Sequence, residues 1–238
     1  MNKADLFRYY VKRILPKSVL SPITRFRNRY FISRTPHEIF SDYYKENHWN
    51  GERSVSGPGS DPEQTRVIVA EIGRLVKQYD VRSILDIPCG DFQWMKDVDL
   101  GDAYYVGADI VPELIEKNQI FSSERRRFKV LDLLESELPQ VDLVIVRDCF
   151  IHLSNAHVKQ ALNRILDSGS VYLLTTTFSD RQRNGDILTG QWRAINLQLP
   201  PFGLPEPLQL VNEGCTELEG RFGDKALGLW RVADCSVR

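Results

Sequence analysis

The stretch DIPCGDFQW, residues 86–94, sets Asp86 and Asp91 around Gly90 directly after the apolar run VRSIL. A loop that only turned the chain would need no second carboxylate, so the pair reads as the mouth of a binding site. Two more acids follow at the ends of apolar runs, Asp109 in VGADI and Asp132 in VLDLL. A dinucleotide site would want G-x-G-x-x-G here, and acids beside a pyrophosphate repel it. A cationic ligand that also carries hydroxyls and an amine suits these carboxylates better. Singly, each acid has a plainer place: Asp86 in a strand-end turn, Asp109 capping a helix, Asp132 solvated in a loop. Three in order behind successive apolar runs read as one site.

Further on, VRDCFIHLS offers Asp148 and His152 as groups that could take a proton. Histidine is the natural base near neutral pH for an alcohol or phenol. The alternatives are that His152 packs at the entrance to the next helix and that Asp148 binds a ligand instead of taking a proton. The polar stretch that follows supplies Arg181, Asn184, Trp192, Arg193 and Asn196, with Phe202 among prolines. Aromatic faces beside amides and guanidinium groups suit a sugar, a phosphorylated glycan or a small aromatic acceptor. Cys89, Cys149, Cys215 and Cys235 have no C-x-x-C spacing, so neither a metal site nor a disulfide framework is expected. Cys89 and Cys149 read as small packed thiols.

Such residues need a scaffold that gathers strand ends. Strands are expected at 83–87, 104–109, 128–131, 142–147 and 171–177, with helices at 112–119 and 155–167. The alternation implies an α/β fold: a Rossmann-like, doubly wound, mostly parallel sheet with helices on both faces. Strands at 208–212 and 226–232 are expected to close it as a C-terminal antiparallel pair. Upstream, TPHE (Thr35 cap, Glu38) and SDPE (Ser60 cap, Glu63) both read as capping boxes that open helices. Residues 178–207 are too long for a plain connection and read as a substrate-binding loop.

At 238 residues, 42% hydrophobic and 26% charged, the chain has the composition of one ordinary globular domain. Its apolar runs are far too short to span a bilayer, no secretion signal is read, and a reducing, cytoplasmic setting is expected. Residues 1–34 hold nine cations against one acid, +8, which leaves −9 for the remainder. That balance disfavours a nucleic-acid surface on the main domain. Leu6, Phe7, Tyr10, Val11 and Ile14 recur at helical spacing among Arg8, Lys12 and Arg13, an amphipathic basic arm. Such an arm would lie on an anionic inner membrane surface or pack on its own domain or a second subunit. The organisation expected is therefore an arm at 1–34 and a domain at 35–238, with a helical cap at 35–80.

From Ser60 to Val232 the chain resembles the class I S-adenosylmethionine-dependent methyltransferases. The resemblance rests on LDIPCGD, VGADI and VLDLL in sequence. It implies that Asp86, Cys89, Gly90, Asp91, Phe92 and Trp94 form the cofactor loop. Asp109 with Ile110 would take the ribose hydroxyls, and Asp132 with Leu133 the adenine. Gly57 and Ser60, in SVSGPGS, would sit near the methionine carboxylate, and Asp148 near the amine. Pro88 and Cys89 stand where the family's first glycine is usual. The function implied is methylation of a hydroxyl on a glycan or small molecule. An inactive, methyltransferase-like binding protein and an enzyme acting on RNA or protein are the alternatives. NHWNG, SGPGS, PCGD, NL and PPF together resemble methyltransferases of bacterial surface-glycan synthesis.

Overall fold

The computed structural model describes residues 28–236, so the stripe from Leu6 to Ile14 lies outside the described residues. Helix α1 (Pro36–Lys45) begins with a complete capping box. The Thr35 hydroxyl accepts from the Glu38 N–H at 3.2 Å, and the Glu38 carboxylate accepts from the Thr35 N–H at 2.7 Å. Helix α2 (Pro62–Gln78) corrects the second expected box. Its cap is Asp61, whose side chain makes no capping bond. Ser60 instead closes a 3₁₀ turn, Pro58–Ser60, with its N–H donated to the Gly57 carbonyl at 3.0 Å. The helix begins at Pro62, so Asp61 holds the capping position and Ser60 falls one residue outside it, within the turn.

Seven strands form one sheet: β1 (Ser83–Asp86), β2 (Tyr104–Asp109), β3 (Arg126–Val130), β4 (Leu143–Val146), β5 (Tyr172–Phe178), β6 (Gln209–Asn212) and β7 (Lys225–Arg231). Their order is β3-β2-β1-β4-β5-β7-β6. The first five run parallel, while β7 pairs antiparallel with both β5 and β6. All four residues of β4 are buried, as a central strand covered on both faces requires. Edge strand β3 starts two residues earlier than expected. Its exposed Arg127 and Lys129 hide the strand pattern in the sequence.

Two apolar layers flank the sheet. Ile68, Ile72, Leu75 and Val76 of α2 pack on one face, together with Ile115 of α3 (Pro112–Asn118). Val158, Ala161, Leu162 and Ile165 of α4 (Asn155–Asp167) pack on the other. The long 178–207 segment contributes Ile195, Leu197, Phe202 and Leu204 to that second layer. The strand order reverses between β1 and β4, which opens a crevice at their carboxyl ends. Among the described residues no helix is long and apolar enough to cross a membrane.

Candidate cofactor and active site

A cavity of about 1180 Å³ lies over that crevice. Asp109, the last residue of β2, lines it. Its Oδ1 accepts from the Val111 N–H at 3.0 Å and its Oδ2 from the Gly90 N–H at 3.3 Å. Burial still raises its pKa to about 6. Asp132 follows β3 on the same wall, with Oδ1 accepting from the Leu134 N–H at 2.8 Å. Register explains why the acids meet: Asp86 of β1 pairs with Gly107 of β2, and Asp109 with Val130 of β3. Successive strands thus bring their ends to one edge.

The β4 side carries the remaining charges. Asp148, at φ +52°, lies just beyond the strand, and its N–H is donated to the Thr176 hydroxyl at 2.8 Å. Burial alone would raise its pKa, but Lys225 at 2.7 Å and Arg147 at 3.6 Å outweigh it and hold the carboxyl far below the usual range. Arg147 also meets the buried Glu213 at 2.7 Å, and Lys225 meets it at 3.4 Å. His152 lines the cavity nearby. Its Nδ1–H donates to the Gln191 carbonyl at 3.2 Å, which leaves Nε2 as the acceptor. Burial lowers its pKa to about 4, against the opposing pull of Asp148, so the ring is neutral at physiological pH.

The cap supplies the opposite wall. Trp49 lies 5.7 Å from the His152 ring, centroid to centroid. A Cβ on Gly57 (φ +96°) would come within 2.8 Å of the Trp49 Cβ, so glycine is needed there. The Tyr43 hydroxyl donates to the Gly190 carbonyl at 2.7 Å, joining α1 to the segment 186–192. Tyr30 and Phe31, within a helical stretch at 28–32, also face the cavity.

No family model matches this chain, and no curated protein matches it. Solved structures do. Human N-acetylserotonin methyltransferase, in complex with SAM, aligns at TM-score 0.52 and 17% identity, over 73% of this chain and 52% of that one. The N-methyltransferase NodS from Bradyrhizobium japonicum aligns at 0.52 and 16%, over 72% of this chain and 97% of that one. The mitomycin 7-O-methyltransferase MmcR gives 0.52 and 16%, over 69% and 54%. This chain therefore spans about half the length of the first and third. Its fold is that of the class I methyltransferases.

Within that methyltransferase fold the sequence-derived residues fall into two groups. Gly57, Ser60, Cys89, Gly90, Trp94, Asp109, Ile110, Asp132, Leu133, Asp148, His152 and Trp192 all line the cavity. The others sit behind the wall. Asp86 is 1% exposed, accepts from the Tyr105 hydroxyl at 2.6 Å, and has its pKa raised by burial to about 7. Phe92 packs among Tyr105, Phe121 and Phe128. Arg181 pairs with Asp224 at 2.7 Å, and Arg193 donates to the carbonyls of Phe150 and Gly185 and to Asn155. Asn184 and Asn196 bond to backbone groups of their own segment. Arg147, Lys225 and Trp49, which no spacing pattern marks, stand in the wall.

Proposed function

We propose that this protein transfers a methyl group from S-adenosylmethionine to a hydroxyl of a glycan or small molecule. One observation carries the reading: Asp109, Asp132 and a neutral His152 open onto the same cavity at the strand-order reversal. The chemistry of that donor set suits the cofactor. Asp109 would accept from ribose hydroxyls and Asp132 from the adenine amine, with Leu133 and Ile110 against the rings. Ser60 and Gly57, at the amino end of a helix, would face the methionine carboxylate. When bound, the cofactor supplies a methyl group on a positively charged sulfur.

The chain's own work is alignment and proton removal. An acceptor hydroxyl grows acidic as its oxygen gains carbon, so the weak, neutral base offered by His152 Nε2 suffices. Asp148 is tied to Lys225 and Arg147 and serves as a fixed charge rather than a proton acceptor. Two of the fold neighbours are named for small-molecule acceptors, N-acetylserotonin and mitomycin, which supports an acceptor of that size. Trp49, Trp192 and Tyr43 give the cavity flat faces on which a sugar or aromatic ring can lie.

The basic arm at 1–34 extends the reading to a lipid-linked acceptor reached at an anionic membrane surface. Residues 28–34 already pack on the domain, since the Tyr30 hydroxyl donates to Asp42 at 2.9 Å and Gln191 donates to Asn28 at 3.2 Å. A truncation that tests the arm therefore begins at Asn28. The full chain should sediment with anionic vesicles at low salt and release as salt rises. The shorter chain should stay in solution, and equal behaviour of the two would remove the membrane role.

The cofactor claim is tested by calorimetry. The unaltered protein should bind S-adenosylmethionine saturably, and Asp109→Ala should weaken binding by about 1.5–3 kcal/mol. No binding by the unaltered protein would end the methyltransferase reading. A labelled-methyl assay on fractionated cell extract then identifies the acceptor class.

A further inference from the structure

We infer that Asp91 acts as a positioning residue: it holds the segment that covers the cofactor's methionine end, a role that rests on the cofactor reading above. Asp91 does not line the cavity. Its Oδ1 accepts from the Ser54 hydroxyl at 3.1 Å, and its Oδ2 accepts from the Val55 N–H at 3.0 Å. In return the Asp91 N–H is donated to the Ser56 hydroxyl at 3.3 Å. The Ser54 hydroxyl accepts from the Ser56 N–H at 3.1 Å, closing the network. Three consecutive cap residues are thus tied to one residue of the loop after β1.

Gly90 belongs to the same joint. A Cβ there would fall 2.3 Å from the Ser56 Oγ, so the glycine makes room for the cap as well as for any ligand. The other end of the segment is also anchored, because the Gly59 carbonyl accepts from the Arg147 guanidinium at 2.8 Å. Residues 55–60 all line the cavity, whereas Ser54 does not and is 3% exposed. The segment is therefore fastened at one end by Asp91, outside the cavity, and at the other by Arg147 in the neighbouring wall. A segment already ordered before the ligand arrives loses less entropy on binding, which is how a residue that touches no ligand can set affinity.

The geometry yields a contrast between two probes. The segment faces the methionine end, so its loosening should affect S-adenosylmethionine and spare adenosine, which lacks that end. In the full chain, Asp91→Ala and Ser54→Ala should each weaken S-adenosylmethionine about 10–100-fold and leave adenosine affinity unchanged. The double variant should be no weaker than the worse single one, since both cut the same link. Asp91→Asn, which keeps one acceptor oxygen, should recover part of the loss. Unaltered S-adenosylmethionine affinity in both single variants would overturn the inference, as would an equal loss for both probes. If Asp91→Ala fails to fold, Ser54→Ala carries the same comparison. Failure of the unaltered protein to bind either probe would strike the cofactor reading itself, and this inference with it.

Discussion

Asp109 and His152 show how one cavity sets opposite demands on two titrating groups. Burial lifts the Asp109 pKa to about 6, so its carboxylate forms as pH rises through that value. The ionised form is the better acceptor for hydroxyls, so cofactor affinity should tighten between about pH 5 and 7 and then level off. Asp109→Asn should remove that dependence, as calorimetry at several pH values would show. His152 behaves the other way, because burial disfavours its cation and lowers its pKa to about 4. A base must be neutral to accept a proton, so with cofactor saturating, turnover should fall only as pH drops through about 4. It should show no break near 6.5. His152→Ala should cut single-turnover rates by about 10²–10⁴ with cofactor affinity unchanged. An unchanged rate would assign His152 to packing.

At the scale of elements, α1 is fixed at its start by chemistry local to the sequence. Its reciprocal bonds between Thr35 and Glu38 satisfy two amides that the helix itself cannot pair. Thr35→Ala should cost about 1 kcal/mol in urea unfolding, while a change at exposed Lys77 in the last turn of α2 should cost much less. The β7 strand depends instead on a contact across one element. A Cβ on Gly228 would meet the Trp230 ring at 2.2 Å, so this strand interior needs a residue without a side chain. The 178–207 segment has features of both kinds. Its Asp186, Ile187, Gly190, Gln191 and Trp192 reach the cavity, while Arg193 and Asn196 fasten it from behind with bonds to main-chain carbonyls.

At the scale of the molecule, a charge network in the cavity wall joins distant parts of the chain. Arg147 after β4, Glu213 after β6 and Lys225 at the start of β7 meet with little access to solvent, and Asp148 completes the set. Removing one member leaves its partners' charges buried and unpaired. Glu213→Ala should therefore destabilise the fold by about 3–5 kcal/mol in denaturant unfolding, far more than the loss of an exposed pair such as Lys77–Asp99. What the sequence determined by itself was local: helix and strand periodicity, the Thr35 cap, and the ordered acids Asp86, Asp109 and Asp132 behind apolar runs. These were legible because a strand's alternation and a cap's chemistry are written within a few residues. Which acids face the cavity was decided only by packing, which buries Asp86 against Tyr105, opens Asp109 and Asp132, and turns Asp91 toward the cap. Ser60 likewise lies in a turn while Asp61 takes the capping position, because the helix begins only at Pro62. Trp49, Arg147 and Lys225 come from separate elements, and no spacing could mark them, because their proximity exists only once the parallel sheet has formed and β7 has turned back against it.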